Sequence, residues 1–174
     1  MAFSLRASPF VVAPGTTGII LGIDYGQKRL GLALSDEHGV TSRPFATWTR
    51  TNRRRDLARL RELARQQGVR RIIIGLPLHL DGTPSDMSEE VKSFAARVEK
   101  ALGIPVEMMD ERLSSWEAEQ SLSTISSMKS RTRARRAPSS QAARTRKMHL
   151  DDVAAAIILR DYLDRAQRLA GTLD

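Results

Sequence analysis

Two apolar, β-prone runs near the N-terminus place the strongest constraint on what this chain can fold into. The first is IILGID at residues 19–24, and the second extends from Leu30 to Leu34. The five residues between them, YGQKR, are polar and include a glycine, which is typical of a hairpin turn. We therefore expect two antiparallel strands within residues 19–35, and a third strand from Val40 to Trp48.

The rest of the chain alternates between helical and strand patterns. Apolar residues at helical spacing predict helices over 54–67, from Asp86 or Ser88 to Gly103, over 116–128, and from Asp151 to about Leu169. Short apolar runs predict strands at 72–74 and 104–110. This order of elements predicts an α/β fold with a mixed central sheet, in which three antiparallel strands precede βαβ units and helices flank the sheet.

Length and composition limit the class of protein. A chain of 174 residues has the size of one domain, which we expect over residues 19–170 after a flexible leader at 1–18. The absence of cysteine excludes a disulfide framework, a thiol nucleophile and a thiolate zinc site. Because no run of about 18 apolar residues occurs, we expect a cytoplasmic protein with no membrane contact.

Positive charge is concentrated in one segment. The chain has 28 Lys and Arg against 20 Asp and Glu, a net charge of +8. Residues 129–147 contain no acid and eight basic residues: Lys129, Arg131, Arg133, Arg135, Arg136, Arg144, Arg146 and Lys147. The segment lacks apolar periodicity, so we expect a mobile loop there. Its excess of arginine favours contact with the phosphates of a nucleic acid.

A second basic cluster extends from Arg50 to Arg71, with nine arginines against Asp56 and Glu62. The cluster could be a second surface for a polyanion. Its arginines also fit the solvated side of an amphipathic helix. The sequence leaves both interpretations open.

Several carboxylates lie at the ends of predicted elements, beside apolar sequence where an unpaired charge is costly. They are Asp24, Asp110, Glu111, Asp151 and Asp152. Ligands of open α/β sheets gather at the carboxyl ends of parallel strands, so these acids are candidates for one site. Oxygen ligands without cysteine, and with only three scattered histidines, favour Mg²⁺ or Mn²⁺.

Each acid also has a structural interpretation. Asp151 or Asp152 could cap the last helix or lie in its first turn. Asp110 and Glu111 could pair with Arg112 on the surface, and Asp24 could stabilise the hairpin turn. Spacing along the chain does not decide between these possibilities.

Four stretches together resemble one family. They are LGIDYGQKRLGLALSD (21–36), IIIGLPLHLDGT (72–83), DERLSSWEAE (110–119) and LDDVAAAIILRDYLD (150–164). In this order they are similar to the YqgF/RuvX family of RuvC-like resolvases, also described as pre-16S rRNA nucleases. The resemblance covers about residues 19–164 and implies an RNase H-like fold.

The resemblance also implies metal-dependent hydrolysis of phosphodiester bonds. It places the family's metal-binding and catalytic acids on Asp24, Glu111 and Asp151, with Asp110 as the alternative to Glu111. The expected ions are Mg²⁺ or Mn²⁺, acting by a two-metal mechanism. Asp152 and His149 depart from the family's pattern, since we expect one acid at the helix start and His149 stands where lysine is common.

Nucleic-acid binding is expected from basic residues around these acids. Lys28 and Arg29 lie in the turn after Asp24, and Arg112 follows Asp110 and Glu111. The basic segment adds Arg133, Arg135, Arg136, Arg144, Arg146 and Lys147. The expected partner is structured RNA, with a role in maturing the 5′ end of pre-16S rRNA. Branched DNA, cut by a Holliday junction resolvase, is the alternative, and a catalytically silent binding module is a second one. We expect a monomer or a homodimer.

Overall fold

The computed structural model describes residues 18–78, 83, 85–110 and 140–171, with side chains left out at 140–149 and 170–171. In this part of the chain five strands form one sheet: β1 (Ile19–Tyr25), β2 (Arg29–Ser35), β3 (Ser42–Thr49), β4 (Val69–Leu76) and β5 (Val106–Asp110). Their order across the sheet is β3-β2-β1-β4-β5. The first three strands are antiparallel, whereas β4 is parallel to β1 and β5 is parallel to β4.

Three helices are described: α1 (Arg53–Gln67), α2 (Asp86–Leu102) and α3 (Ser140–Gly171). The side chain of Asn52 accepts a hydrogen bond from the backbone N–H of Arg55 and so caps α1. Gly68 and Gly103 end α1 and α2 in the left-handed conformation. The α/β class, the antiparallel start and the βαβ units are thus confirmed, and the mixed sheet is that of the RNase H-like fold.

The two faces of the sheet carry separate apolar cores. Alternate residues of β1 and β2, such as Leu21, Ile23 and Leu32, are fully buried in the core that includes α1 and α2. The intervening positions face α3, which buries Ala155 and Leu159 in the second core. This alternation follows from the period of two in a strand. It decides which strand residues share a face with α3.

The last helix begins much earlier than the sequence predicts. The described helix already includes Ser140, well before the expected start at Asp151, so the expected loop over 129–147 is wrong for residues 140–147, which are helical. The reason is composition: glutamine, alanine, arginine, lysine and methionine dominate residues 141–148, and all have high helix propensity. A helix that lacks an apolar stripe gives no periodic signal, so only propensity could have predicted it.

Other boundaries differ by a few residues. β3 begins at Ser42 and not at Val40, and β5 begins at Val106. Ser85 is the N-cap of α2, where Asp86 or Ser88 was expected, and its backbone N–H donates to the Ser88 hydroxyl at 2.8 Å. The expected leader at 1–18, except for Gly18, and the helix expected over 116–128 lie outside the described residues. None of the helices described is long and apolar enough to cross a membrane.

Candidate active site

Asp24 lies near the end of β1 on the face of the sheet that α3 covers. Its chain neighbours Ile23 and Tyr25 point into the opposite core, so strand alternation turns Asp24 toward α3. Across the hairpin Asp24 pairs with Gly31. No hydrogen bond or ion pair from a described residue reaches the Asp24 carboxylate. The turn itself is closed by backbone atoms, with the Gly26 N–H donating to the Arg29 carbonyl at 2.9 Å, so Asp24 does not stabilise it.

Two glycines allow the backbone of α3 to approach the sheet beside Asp24. A Cβ atom at Gly31 would lie 1.9 Å from the carbonyl oxygen of Asp151, and one at Gly22 would lie 2.8 Å from Cβ of Leu159. Both distances are too short for any side chain. Because Gly31 is the cross-strand partner of Asp24, the closest approach of α3 occurs next to the Asp24 carboxylate.

Asp151 is delivered to this point by α3. It lies eleven residues into the helix, one and two turns before the buried Ala155 and Leu159, so it shares their sheet-facing side. Its carboxylate Oδ2 is 3.3 Å from Nη1 of Arg29, and the two side chains are 27% and 28% exposed. The interpretation of Asp151 or Asp152 as a helix cap or first-turn acid is therefore wrong, because the first turn of α3 contains no acid.

The electrostatics of the pair are unusual for aspartates. Burial, and secondly the negative charge of Asp151, raise the pKa of the Asp24 carboxyl from 3.8 to about 6. Both carboxylates border one small cavity, so their negative charges repel each other. Arg29 compensates the charge of Asp151, whereas no described residue compensates that of Asp24. A cation placed between the two carboxylates would relieve this repulsion.

The two aspartates open into a small cavity of about 180 Å³ that also contains basic groups. It is lined by Asp24, Gly26, Lys28, Arg29 and Asp151. Paired carboxylates suit a hard divalent cation, and the neighbouring ammonium and guanidinium groups suit an anionic oxygen. The structure thus brings together four of the residues that the sequence singled out.

The fit to a divalent metal ion is partial in the described residues. Asp24 and Asp151 supply carboxylate oxygens with no histidine or sulfur beside them, which is a donor set for Mg²⁺ or Mn²⁺. Among the residues whose side chains the structure describes, no group of three or more potential ligands is arranged around one point. Two carboxylates can anchor Mg²⁺, which commonly completes its octahedron with water and substrate oxygens.

The second acid pair is described only at Asp110, the last residue of β5. The preceding residue, Met109, belongs to the core on the α3 side, and Glu107 approaches Tyr162 of α3 at 3.3 Å. Alternation therefore turns Asp110 to the opposite face, away from Asp24. Glu111 lies outside the described residues.

The expected nucleic-acid contacts lie only partly in the described structure. Lys28 and Arg29 border the cavity. Arg112, Arg133, Arg135 and Arg136 lie outside the described residues, and the backbone of Arg144, Arg146 and Lys147 is helical. Asp152 accepts a hydrogen bond from the Val153 N–H at 2.9 Å, a local contact on α3.

Sequence reasoning missed Arg50 and the role of the two glycines. Arg50 donates from Nη1 to the carbonyl oxygens of Gly26 and Gln27, at 2.9 and 3.4 Å, and so holds the turn that carries Lys28 and Arg29. No local sequence pattern predicts this contact, because it joins residues more than twenty positions apart. The glycines did carry a signal, because a glycine inside an apolar strand marks a close approach of another backbone.

Comparison with known proteins assigns the chain to a family. The model of the RuvX family, described as Holliday junction resolvase, matches residues 18–165. The chain is 44% identical over 145 residues to a protein of Anaeromyxobacter dehalogenans (strain 2CP-1), covering 83% of this chain and 96% of that relative. A protein of Syntrophus aciditrophicus is 43% identical, with 83% and 87% covered. Both relatives are named pre-16S rRNA nuclease. The chain belongs to the RuvX family.

Among solved structures the chain is similar to RuvC of T. thermophilus in complex with a Holliday junction substrate. The sequence identity is 15% and the TM-score 0.48, with 84% of this chain and 93% of that chain covered.

Proposed function

We propose that this protein is a metal-dependent endonuclease that hydrolyses phosphodiester bonds of structured RNA and matures the 5′ end of pre-16S rRNA. The observation that carries the proposal is the approach of Asp151 to the partly buried Asp24 in a cavity bordered by Lys28 and Arg29. The names of the relatives, which are 43–44% identical to this chain, support the RNA substrate. Such a substrate implies a cytoplasmic location.

Asp24 and Asp151 would hold Mg²⁺ or Mn²⁺ in this proposal. When bound, one or two such ions lower the pKa of water and neutralise charge on the phosphate. The protein's own part is to fix both carboxylates on rigid elements, β1 and α3, and to keep Asp24 shielded from solvent. Rigid placement keeps the reacting groups aligned.

Glu111 is the third carboxylate of the proposed site, in preference to Asp110. Glu107 and Met109 both make contacts with α3, and these alternate positions of β5 lie on the face that carries Asp24. Asp110 belongs to the other face, which leaves Glu111 as the acid of this pair that we assign to the site. The support for Glu111 is therefore the pattern of β5 up to its last described residue.

Lys28 and Arg29 would bind the substrate phosphate beside the carboxylates. Arg29 already contacts Asp151 at 3.3 Å, so it orients that carboxylate as well as offering positive charge to an anion. Lys28 is exposed at the rim of the cavity. Arg112 and the basic residues Arg133, Arg135, Arg136, Arg144, Arg146 and Lys147 would extend the contact along the phosphate backbone.

A Holliday junction resolvase is the second candidate, because the family description names that activity. Resolution needs two symmetric cuts, so it would require a two-fold dimer. Processing of one RNA strand requires only a monomer. The two functions therefore differ in both substrate and assembly.

The test compares three substrates with the same full-length protein in Mg²⁺ and in Mn²⁺. They are a 16S precursor RNA with its 5′ extension, a mobile four-way DNA junction, and a linear DNA duplex of matched sequence. The proposal predicts preferential cutting of the precursor RNA within its 5′ extension. Paired symmetric nicks in the junction, with the RNA left intact, would favour the resolvase, and no cutting of any substrate would favour a binding module.

A further inference from the structure

A second cavity lies directly beside the candidate active site, on the other side of the β1–β2 turn. It has a volume of about 390 Å³ and is bordered by Gln27 and Lys28 of the turn, by residues 49–53 at the junction of β3 and α1, and by Asp56. Lys28 lines this cavity and the smaller one around Asp24. The two cavities are therefore neighbours that share one cationic side chain.

Arg50 holds the two walls of this cavity together. Its guanidinium donates to the carbonyl oxygens of Gly26 and Gln27 and lies 4.4 Å from the centre of the Tyr25 ring. Its Nε is 3.6 Å from the carboxylate of Asp56, which is 4% exposed. An arginine with this many fixed contacts gives the cavity a defined shape, because the guanidinium cannot turn away without breaking them.

The charge of the cavity is positive after its internal contacts are counted. The acid of the cavity, Asp56, pairs with Arg50 and accepts the Thr51 N–H at 3.2 Å. Lys28 and Arg53 remain exposed at the rim. The side chains of these two residues make no hydrogen bond or ion pair with another residue of the described part of the chain. The cavity thus offers two available positive charges to an anion.

We propose that this cavity binds a backbone phosphate of the RNA strand that flanks the bond cut at Asp24. The proposal rests on the proposed nuclease function and names the path of its substrate: past Lys28 and on to Arg53. A nucleic-acid strand binds where cationic side chains follow one another along its path. Lys28 borders both cavities, so a strand that leaves the Asp24 cavity would pass it before reaching Arg53. Phosphate contacts of this kind position a strand without reading its sequence.

The far end of α1 provides a matched control. A third cavity of about 390 Å³ lies there and is also lined by arginines, namely Arg61, Arg65 and Arg70. It shares no residue with the candidate active site. Arg65 is paired with Glu62 at 2.7 Å, whereas Arg70 is an exposed arginine like Arg53. Arg53→Gln and Arg70→Gln therefore remove the same charge from two comparable surfaces.

The experiment measures binding of a fluorescent single-stranded RNA to the full chain in a chelator, across a salt series. When the protein binds one phosphate fewer, the salt slope for a single strand falls by about 0.7, which corresponds to about fourfold weaker binding at 0.15 M salt. We expect this result for Arg53→Gln, recovery with Arg53→Lys, and no change for Arg70→Gln. An unchanged slope for Arg53→Gln, or an equal decrease for both variants, would overturn the proposal.

Two further arms separate this inference from the nuclease function. Binding is measured without metal, so it does not depend on cleavage. In a separate cleavage assay, wild-type cutting by Asp24→Asn would overturn the nuclease site but not the phosphate-binding cavity. The same variants are also tested with a four-way DNA junction. An Arg53→Gln defect on the junction but not on RNA would overturn RNA as the occupant. Unchanged melting temperatures of the variants would show that folding is not the cause.

Discussion

Asp24 is a partly buried acid whose ionisation opposes folding when no metal ion is bound. Its pKa of about 6 lies above the ordinary 3.8, so between these values the folded state holds a proton that the unfolded state has released. Stability therefore falls as pH rises from about 4 to 6. In a chelator at pH 7.5 we expect Asp24→Asn to be more stable than wild type by about 1–3 kcal/mol, and by only about 0.5 kcal/mol at pH 4. Thermal unfolding at both pH values measures this.

Adding Mn²⁺ should reverse that order, because an ion bound by the paired carboxylates stabilises only the folded protein that has both of them. Asp164→Asn is the control. Asp164 is on the same helix as Asp151 but is 40% exposed and pairs with Arg160. It should behave as wild type. An Asp24→Asn protein that is no more stable than wild type at pH 7.5 without metal would contradict the electrostatic account of the site.

Individual site residues were predictable from the sequence to different extents. Asp24 was identifiable because an unpaired charge in an apolar strand is costly, and in the structure it lines one cavity with Lys28 and Arg29. That Asp151 meets Asp24 could not be derived from spacing, since the two are 127 positions apart. Arg50 was missed for the same reason: its importance comes from carbonyl groups that only the fold brings near.

At the scale of elements, the site depends on how closely α3 packs on β1 and β2. We expect Gly31→Ala to push α3 away, since its Cβ would lie 1.9 Å from the Asp151 carbonyl oxygen. Overpacking of this kind costs about 1–3 kcal/mol or more. A displacement of about 1 Å at Asp151 should lower the cleavage rate by about 100-fold. Chemical denaturation and cleavage assays of the variant measure the two effects.

Gly68→Ala separates an effect on stability from an effect on site geometry. Gly68 ends α1 with a φ of 66°, and nothing lies within 4 Å of a Cβ placed there. Alanine should cost about 1–2 kcal/mol of backbone strain and leave the cleavage rate unchanged. If Gly31→Ala retained full activity, the close approach of α3 would not be what forms the site.

The order and type of the described elements followed from local patterns, whereas several boundaries did not, above all that of α3. The hairpin of β1 and β2, the helices α1 and α2, and their stop signals at Gly68 and Gly103 agree with the structure, because each has a short-range physical cause. The helical residues 140–150 of α3 have no such cause, because they lack an apolar stripe. That error also hid the fact that Asp151 lies inside a helix.

At the scale of the molecule, positive charge is distributed unevenly, and the segment 129–147 carries as many charges as the net excess of +8. We expect the combined change of Arg133, Arg135 and Arg136 to Gln to weaken RNA binding for every sequence tested. The salt slope should fall by about 0.7 for each phosphate that the variant no longer binds, up to about 2. Anisotropy titrations at several salt concentrations measure this, and an unchanged slope would mean that these arginines do not touch phosphate.

Cleavage of the 5′-extended 16S precursor tests whether Asp24 is part of a metal-dependent nuclease site. Wild type, Asp24→Asn and Asp164→Asn are compared in Mg²⁺ and Mn²⁺ at equal protein concentration. We predict that Asp24→Asn loses at least about 100-fold in rate, since even groups that only support metal ligands cost about 10–100-fold, whereas Asp164→Asn cuts normally. Cleavage by Asp24→Asn at the wild-type rate would contradict the account.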